Sequence, residues 1–123
     1  MYTLILDTSS KIALIAMAKA DKICECHSYV HENQLSKSFF PIIKSFLTSY
    51  PRIDKIAVGI GPGSYTGTRV GVTIARTLSF GLKIVLQSFY SPLTYLPSHL
   101  GRFSFLLPNK SGQFLVMKGI QKK

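Results

Sequence analysis

The sequence has no tryptophan, two cysteines and five acidic residues against fifteen basic ones, for a formal net charge of +10. The acids are also unevenly placed. Asp7, Asp21, Glu25, Glu32 and Asp54 all fall in the first 54 residues, and the rest of the chain carries nine basic residues and no acid. A catalytic pair of carboxylates is therefore excluded from the second half, and no nucleophile–base pair is evident anywhere. The bias favours an acidic protein surface or nucleic acid as partner, although the basic residues are scattered rather than clustered. No apolar run reaches the roughly 18 residues of a membrane span. The start, Met1-Tyr2-Thr3-Leu4-Ile5-Leu6-Asp7, has no basic n-region and no cleavage site. It reads as a strand rather than a signal peptide, which makes the cytoplasm the expected location.

Cys24 and Cys26 stand one residue apart in an apparent strand, where alternation puts them on one face. A disulfide at that spacing is strained. The plain expectation is two small buried thiols. A metal site extended by His27 and His31 is disfavoured, because structural zinc pairs use two or more spacer residues.

With 123 residues there is room for one domain and a modest core. The apolar runs 2–6 and 12–18 and the segment 23–30 read as three strands joined by short turns, hence an antiparallel meander. The period then changes to that of a helix. Leu35, Phe39, Ile42 and Phe46 recur at helical spacing, as do Phe40, Ile43, Leu47 and Tyr50. Together they cover an arc wider than one buried face needs. Either the helix is deeply packed or one flank is left for a partner. Asn33 is a candidate N-cap and Pro41 predicts a kink or restart. Residues 55–60 read as a fourth strand, about 64–80 as a second helix stopped by Gly81, and 83–86 as a fifth strand. A short helix within 88–101 and a hairpin of 103–107 with 113–118 complete the chain. The order β-β-β-α-β-α-β gives an α/β fold with a mixed five-stranded sheet and helices packed on it.

Between the fourth strand and second helix stands Gly61-Pro62-Gly63-Ser64-Tyr65-Thr66-Gly67. A glycine-rich turn opening a helix suggests phosphate binding. The named versions fail. Gly67 is followed by Thr68-Arg69, not by the Lys-Ser/Thr of a P-loop, and Thr66 breaks both the dinucleotide fingerprint and a nucleophile elbow centred on Ser64. The helix itself carries Gly67, Gly71 and Ala75 four apart. Such a stripe lets another backbone approach closely, whether the chain's own sheet or a helix of a partner. Arg69, Thr73 and Arg76 lie on a different flank, suited to acids or phosphate.

The segment from Val58 to Val72, with its Gly-Pro-Gly-Ser-Tyr-Thr-Gly-Thr-Arg-Val-Gly core, closely resembles the signature of the TsaB (YeaZ) family. Leu4-Ile5-Leu6-Asp7-Thr8-Ser9 resembles that family's first strand and turn, and His31-Glu32-Asn33-Gln34-Leu35 with Pro41-Ile42-Ile43 resembles its first helix. The likeness covers about residues 1–100. It implies a single lobe of the actin/sugar-kinase/Hsp70-like ATPase (ribonuclease H-like) fold, with residues 1–101 as the N-terminal lobe and 102–123 as the start of a truncated second lobe. It also implies a non-catalytic partner of TsaD, the enzyme that transfers threonylcarbamoyl to the adenosine beside the tRNA anticodon.

Pairing in the family uses the two helices, with TsaD or with a second copy, and a TsaE-like ATPase joins the larger complex. The partner-binding residues so implied are Leu35, Phe39, Ile42, Gly67, Arg69, Gly71 and Ala75, with tRNA contacted indirectly or weakly and no cofactor expected. Asp7, Thr8 and Ser9 correspond to a degenerate phosphate loop, since Ser9 stands where the superfamily has glycine. The metal histidines of TsaD, which follow the glycine segment as His-x3-His, find no match, because His27 and His31 precede that segment here and only His99 follows it. An inactive remnant and a minimal ATP-binding enzyme built on Asp7 are the alternatives.

Overall fold

A computed structural model of the protein describes residues 1–20, 22–30, 35–91, 101–108 and 114–121. The elements are β1 (Tyr2–Asp7), β2 (Ile12–Lys19), β3 (Lys22–Val30), α1 (Leu35–Ser49), β4 (Lys55–Gly59), α2 (Tyr65–Leu82), β5 (Val85–Phe89), β6 (Gly101–Pro108) and β7 (Phe114–Gln121). Two compact units result, Met1–Ser91 and Pro92–Lys123. The expected boundary at 101/102 falls inside the second. That unit is an antiparallel pair of β6 and β7, in register from Gly101 opposite Gln121 to Pro108 opposite Phe114. The helix expected within 88–101 falls partly on β5 and otherwise on 92–100, outside the described residues.

The first unit is the predicted mixed sheet, in the order β3-β2-β1-β4-β5. The meander supplies antiparallel pairs on one side of β1, and β4 and β5 continue the sheet in parallel on the other. Alternation in the strands selects the core face. Leu4 and Leu6 of β1, Ala13, Ile15 and Met17 of β2, and Ile56 and Val58 of β4 bury their side chains together. Phe39, Ile43 and Phe46 of α1 and Ile74 and Ala75 of α2 cover them, so both helices join one core.

Several expectations need correction. Gly81 does not stop α2. A Cβ there would meet nothing within 4 Å, and the helix runs on to Leu82. Lys83 takes the left-handed cap conformation instead, with φ 58°, and its N–H donates to the Ser79 carbonyl. The fifth strand consequently begins at Val85 and not at Lys83. Pro41 lies inside one continuous α1, with no restart. Asn33 lies outside the described residues. Cys24 and Cys26 are exposed rather than buried, because β3 is an edge strand. A bulge also intervenes. Met17 pairs with Glu25 and Ala18 with Ile23, which leaves Cys24 as the extra residue and breaks the alternation that would put both thiols on one face.

The small-residue stripe of α2 is accounted for within the chain. Gly67, Gly71 and Ala75 are buried. A Cβ at Gly71 would collide with the Thr8 hydroxyl oxygen, and one at Gly67 with the Thr8 carbonyl. Thr8 cannot retreat, being fully buried with its hydroxyl donating to the Gly67 carbonyl. Gly67, Gly71, Ala75 and the fully buried Phe39 are therefore core positions and not a surface for a partner.

The two helical glycines should respond oppositely to one substitution. Gly81→Ala should stabilise by about 0.5–1 kcal/mol, since it gains helix propensity in open space. Gly71→Ala should destabilise by about 1–3 kcal/mol through overpacking against Thr8. Urea unfolding of both variants checks the pair of signs.

Candidate functional site

The end of β1 and the glycine-rich turn meet at Asp7-Thr8-Ser9. All three residues are buried. Asp7 Oδ1 accepts from the Ser9 N–H at 3.0 Å, the Ser9 hydroxyl at 2.7 Å and the Ser91 hydroxyl at 3.2 Å. Ser91 carries the link onward. Its hydroxyl accepts from the Gly61 N–H at 2.9 Å, and its own N–H donates to the Gly61 carbonyl at 2.9 Å. Beneath Asp7, a Cβ at Gly59 would lie 2.5 Å from the carboxyl carbon. Ser64 N–H donates to the Ser9 carbonyl at 2.6 Å, and the Ser64 side chain caps α2 by accepting from Gly67 N–H at 3.1 Å.

This is not a phosphate cradle. A cradle needs backbone N–H groups aimed at open space. Here the Ser9 N–H is engaged by Asp7, and the Ser9 side chain lies against the turn. Asp7, Thr8 and Ser9 thus form a buried clamp, and the residues present do not fit a bound nucleotide phosphate. Among the described residues, no three His, Cys, Asp or Glu side chains are grouped to hold a metal ion. His31 and His99 lie outside the described residues.

An opening of about 430 Å³ lies between α1 and α2, lined by Phe40, Thr66, Arg69, Val70, Thr73 and Ile74. Its lining combines three apolar side chains with two hydroxyls and one guanidinium. Of the lining residues Phe40 is 62% exposed, and elsewhere on α2 Tyr65 is 75% and Phe80 87% exposed. The Arg69 guanidinium sits 5.2 Å from the centre of the Tyr65 ring, a cation–π contact that holds it at the surface. Of the residues singled out for partner binding, Arg69 lines this opening and the half-buried Ile42 packs against the core. Leu35 begins α1, and its side chain is outside the described set. Sequence reasoning placed Phe40 in the apolar arc but not at the opening, and it passed over Tyr65 and Phe80. Their signal was available as large aromatics on the flanks of α2 away from its glycines.

A third cluster ties α1 to the edge strand. Glu25 bonds His27 Nε2 at 2.9 Å through one oxygen and accepts from the Tyr50 hydroxyl at 3.0 Å through the other. The His27 ring meets Phe46 edge-on at 5.5 Å. The hydrogen bond to His27, then that to Tyr50, holds the Glu25 carboxyl below the ordinary glutamate range, and the same carboxylate pushes the Tyr50 hydroxyl up.

Two predictions follow from these clusters. Asp7→Ala should destabilise by about 2–4 kcal/mol, because it orphans the buried Ser9 N–H and hydroxyls that converge on the carboxylate; the urea midpoint reads this. The Glu25 contribution should be present above the unfolded glutamate pKa and lost as pH falls through the lower folded value. Glu25→Gln should flatten that acid limb in a series of thermal melts, and an unchanged limb would remove Glu25 from the account.

The family model for TsaD, tRNA N6-adenosine threonylcarbamoyltransferase, matches residues 24–88, more than half of the chain. Three curated proteins named tRNA threonylcarbamoyladenosine biosynthesis protein TsaB are similar. The one from Bacillus subtilis is 36% identical over 96 residues, covering 74% of this chain and 42% of that protein. The one from Haemophilus influenzae is 35% identical over 81 residues, covering 63% and 34%. The one from Escherichia coli is 30% identical over 88 residues, covering 68% and 38%. The chain thus spans less than half the length of the curated relatives it matches. Among solved structures, YeaZ from Pseudomonas aeruginosa superposes with a TM-score of 0.74 at 18% identity, over 98% of this chain and 67% of that one. This last likeness speaks for the fold alone. No helix among the described residues is long and apolar enough to cross a membrane.

Proposed function

The chain belongs to the TsaB family, and on that footing we propose that it is a non-catalytic partner of a TsaD-like threonylcarbamoyltransferase, acting in the cytoplasm to support formation of threonylcarbamoyladenosine in tRNA. The observation that carries the reading is the contrast between its two candidate sites. The Asp7 loop is buried, with the Ser9 N–H and the Ser9 and Ser91 hydroxyls turned inward onto Asp7 Oδ1. The opening between α1 and α2 is accessible and lined in part by apolar side chains, with Phe40 exposed among them, as a protein-docking surface requires.

The docking residues in this reading are Phe40, Arg69, Val70 and Thr73, with Leu35 and Ile42 added from the family resemblance. Phe40 is the anchor: a large apolar side chain held in solvent gains most when a partner covers it. The chain's role is then to present α1 and α2 at a fixed spacing, while the transfer chemistry stays with TsaD. A TsaE-like ATPase would join through the assembled pair.

The test is size-exclusion chromatography of the chain with TsaD from the same organism. The two should co-elute, and Phe40→Asp should weaken the complex by about tenfold or more while leaving the fold intact. Separate elution of two folded proteins would overturn the proposal. Magnesium-dependent ATP binding by the chain alone would favour the enzymatic alternative.

A further inference from the structure

Basic residues that lie scattered along the sequence are gathered by the fold. The strand pairings put the start of β1, the end of β2 and the starts of β3, β4 and β5 at one end of the sheet, opposite the end that carries Asp7. There Tyr2 pairs with Lys19, Lys19 with Lys22, Thr3 with Lys55 and Lys55 with Val85. Arg52 comes just before β4, where the Asp54 N–H donates to the Tyr2 carbonyl at 2.9 Å, and Lys83 comes just before β5. Lys19, Lys22, Arg52, Lys55 and Lys83 thus line this end from one edge strand to the other. Neighbouring strands lie about 4.8 Å apart, so the row is about 19 Å long. Lys19, Lys22, Arg52 and Lys83 are exposed, and Lys55 is half-buried.

None of these five forms an ion pair among the described residues. The Lys19 ammonium instead lies 5.6 Å from the centre of the Tyr2 ring, and the Lys55 ammonium donates to the Gln87 amide oxygen at 3.2 Å. Both contacts place a cation without neutralising it. The Asp54 carboxylate at this end is half-buried and accepts the Tyr2 N–H at 2.8 Å. Asp21 lies outside the described residues. Lys83 has a local reason to be cationic, since it follows the C-terminus of α2, where the helix dipole favours positive charge. Lys19 and Lys22 have the reverse. They stand directly opposite each other across the hairpin, a placing that a sheet disfavours for like charges.

We propose that this end of the sheet binds the phosphate backbone of RNA. The inference rests on the reading of the chain as a partner in tRNA modification, from which it takes the identity of the polyanion. It adds a contact surface separate from the opening between the helices, none of whose lining residues lies in the row. A row of unneutralised cations of this length meets several consecutive phosphates. Each phosphate bound releases condensed counterions, which drives binding without reading base sequence. The cations stand at or beside strand ends, so their spacing is set by the ladder before RNA arrives. Ile23, Leu82 and Val85 are exposed at the same end, and an anionic membrane would also answer a surface that is cationic and apolar. RNA is the better fit, because the cations run in one line across the strand ends and are not the polar face of an amphipathic helix.

The experiment titrates labelled tRNA with the full chain, read by fluorescence anisotropy across a salt series from about 50 to 200 mM. Log affinity against log salt should fall with a slope of about −3.5 to −4.5, about 0.7–0.9 for each cation of the row. Lys22→Gln, Arg52→Gln and Lys55→Gln combined should cost about tenfold or more at low salt and flatten that slope by about 2–3. Lys11→Gln, Lys37→Gln and Lys44→Gln combined remove the same charge outside the row and should keep the native slope. If the row variant melts early, Arg52→Gln alone should flatten the slope by about 0.7–0.9. Co-elution with TsaD should be the same for the row variant as for the native chain. No tRNA binding by the native chain would overturn the proposal, and so would equal losses in the two combined variants, which would reduce the effect to net charge. Binding to phosphatidylserine vesicles that the row variant loses, with no binding of tRNA, would give the row to a membrane. Loss of TsaD together with tRNA in the row variant would overturn the separateness of the surface. Native chain that binds tRNA through the row but elutes apart from TsaD would sink the docking reading and leave the RNA surface standing.

Discussion

The backbone of α2 rests directly on Thr8, and the arrangement of the first unit depends on that contact. Three consecutive residues at the end of β1 each meet a glycine of the following motif. Asp7 lies over Gly59, Thr8 against Gly67 and Gly71, and Ser9 against Gly63. In each case a Cβ would collide with the residue opposite. The motif is thus the negative image of one short turn, and the two segments make sense only as a pair. Packing at this distance draws α2 down onto the sheet, where Ile74 and Ala75 reach the core built by β1, β2 and β4.

The same closeness decides what the turn can do. A strand end followed by a glycine-rich turn and a helix N-terminus has the parts of an anion site. The parts here satisfy one another. Asp7 draws in the Ser9 N–H and two hydroxyls, Ser64 caps the helix, and Ser91 fastens the turn to the end of β5. A carboxylate that would repel phosphate, held by the very groups that would attract it, leaves a rigid joint.

How far the sequence disclosed this varies with the kind of question. The order of elements along the chain, the mixed sheet and both helices were legible, because alternation and the 3.6-residue period report directly on burial. The stripe Gly67-Gly71-Ala75 announced a close approach without saying to what. Glycine spacing carries no information on the identity of the neighbour, and the partner surface expected there proved to be Thr8. Gly81 misled for a related reason: glycine permits a helix to end, but nothing obliges it to, and Lys83 takes the left-handed cap instead. The exposure of Cys24 and Cys26 was hidden because burial on an edge strand depends on what lies beyond the edge. Phe40 sat inside an arc too wide for one face; of that arc Phe39, Ile43 and Phe46 are buried, and Phe40 is exposed.

Fixing one face of a helix fixes the other. Each residue of α2 is rotated by about 100° from the last, so the glycines that must face Thr8 determine which positions face away. Arg69, Thr73 and Arg76 point outward because Gly67 and Gly71 cannot point anywhere but inward. Neither the sheet nor the clamp constrains what side chains those outward positions carry. A surface position on a helix is ordinarily as free to hold glutamate as lysine, and helices commonly mix the two for the small gain of i,i+4 pairs. Here α1 and α2 forgo every such pair, carrying four cations and no acid.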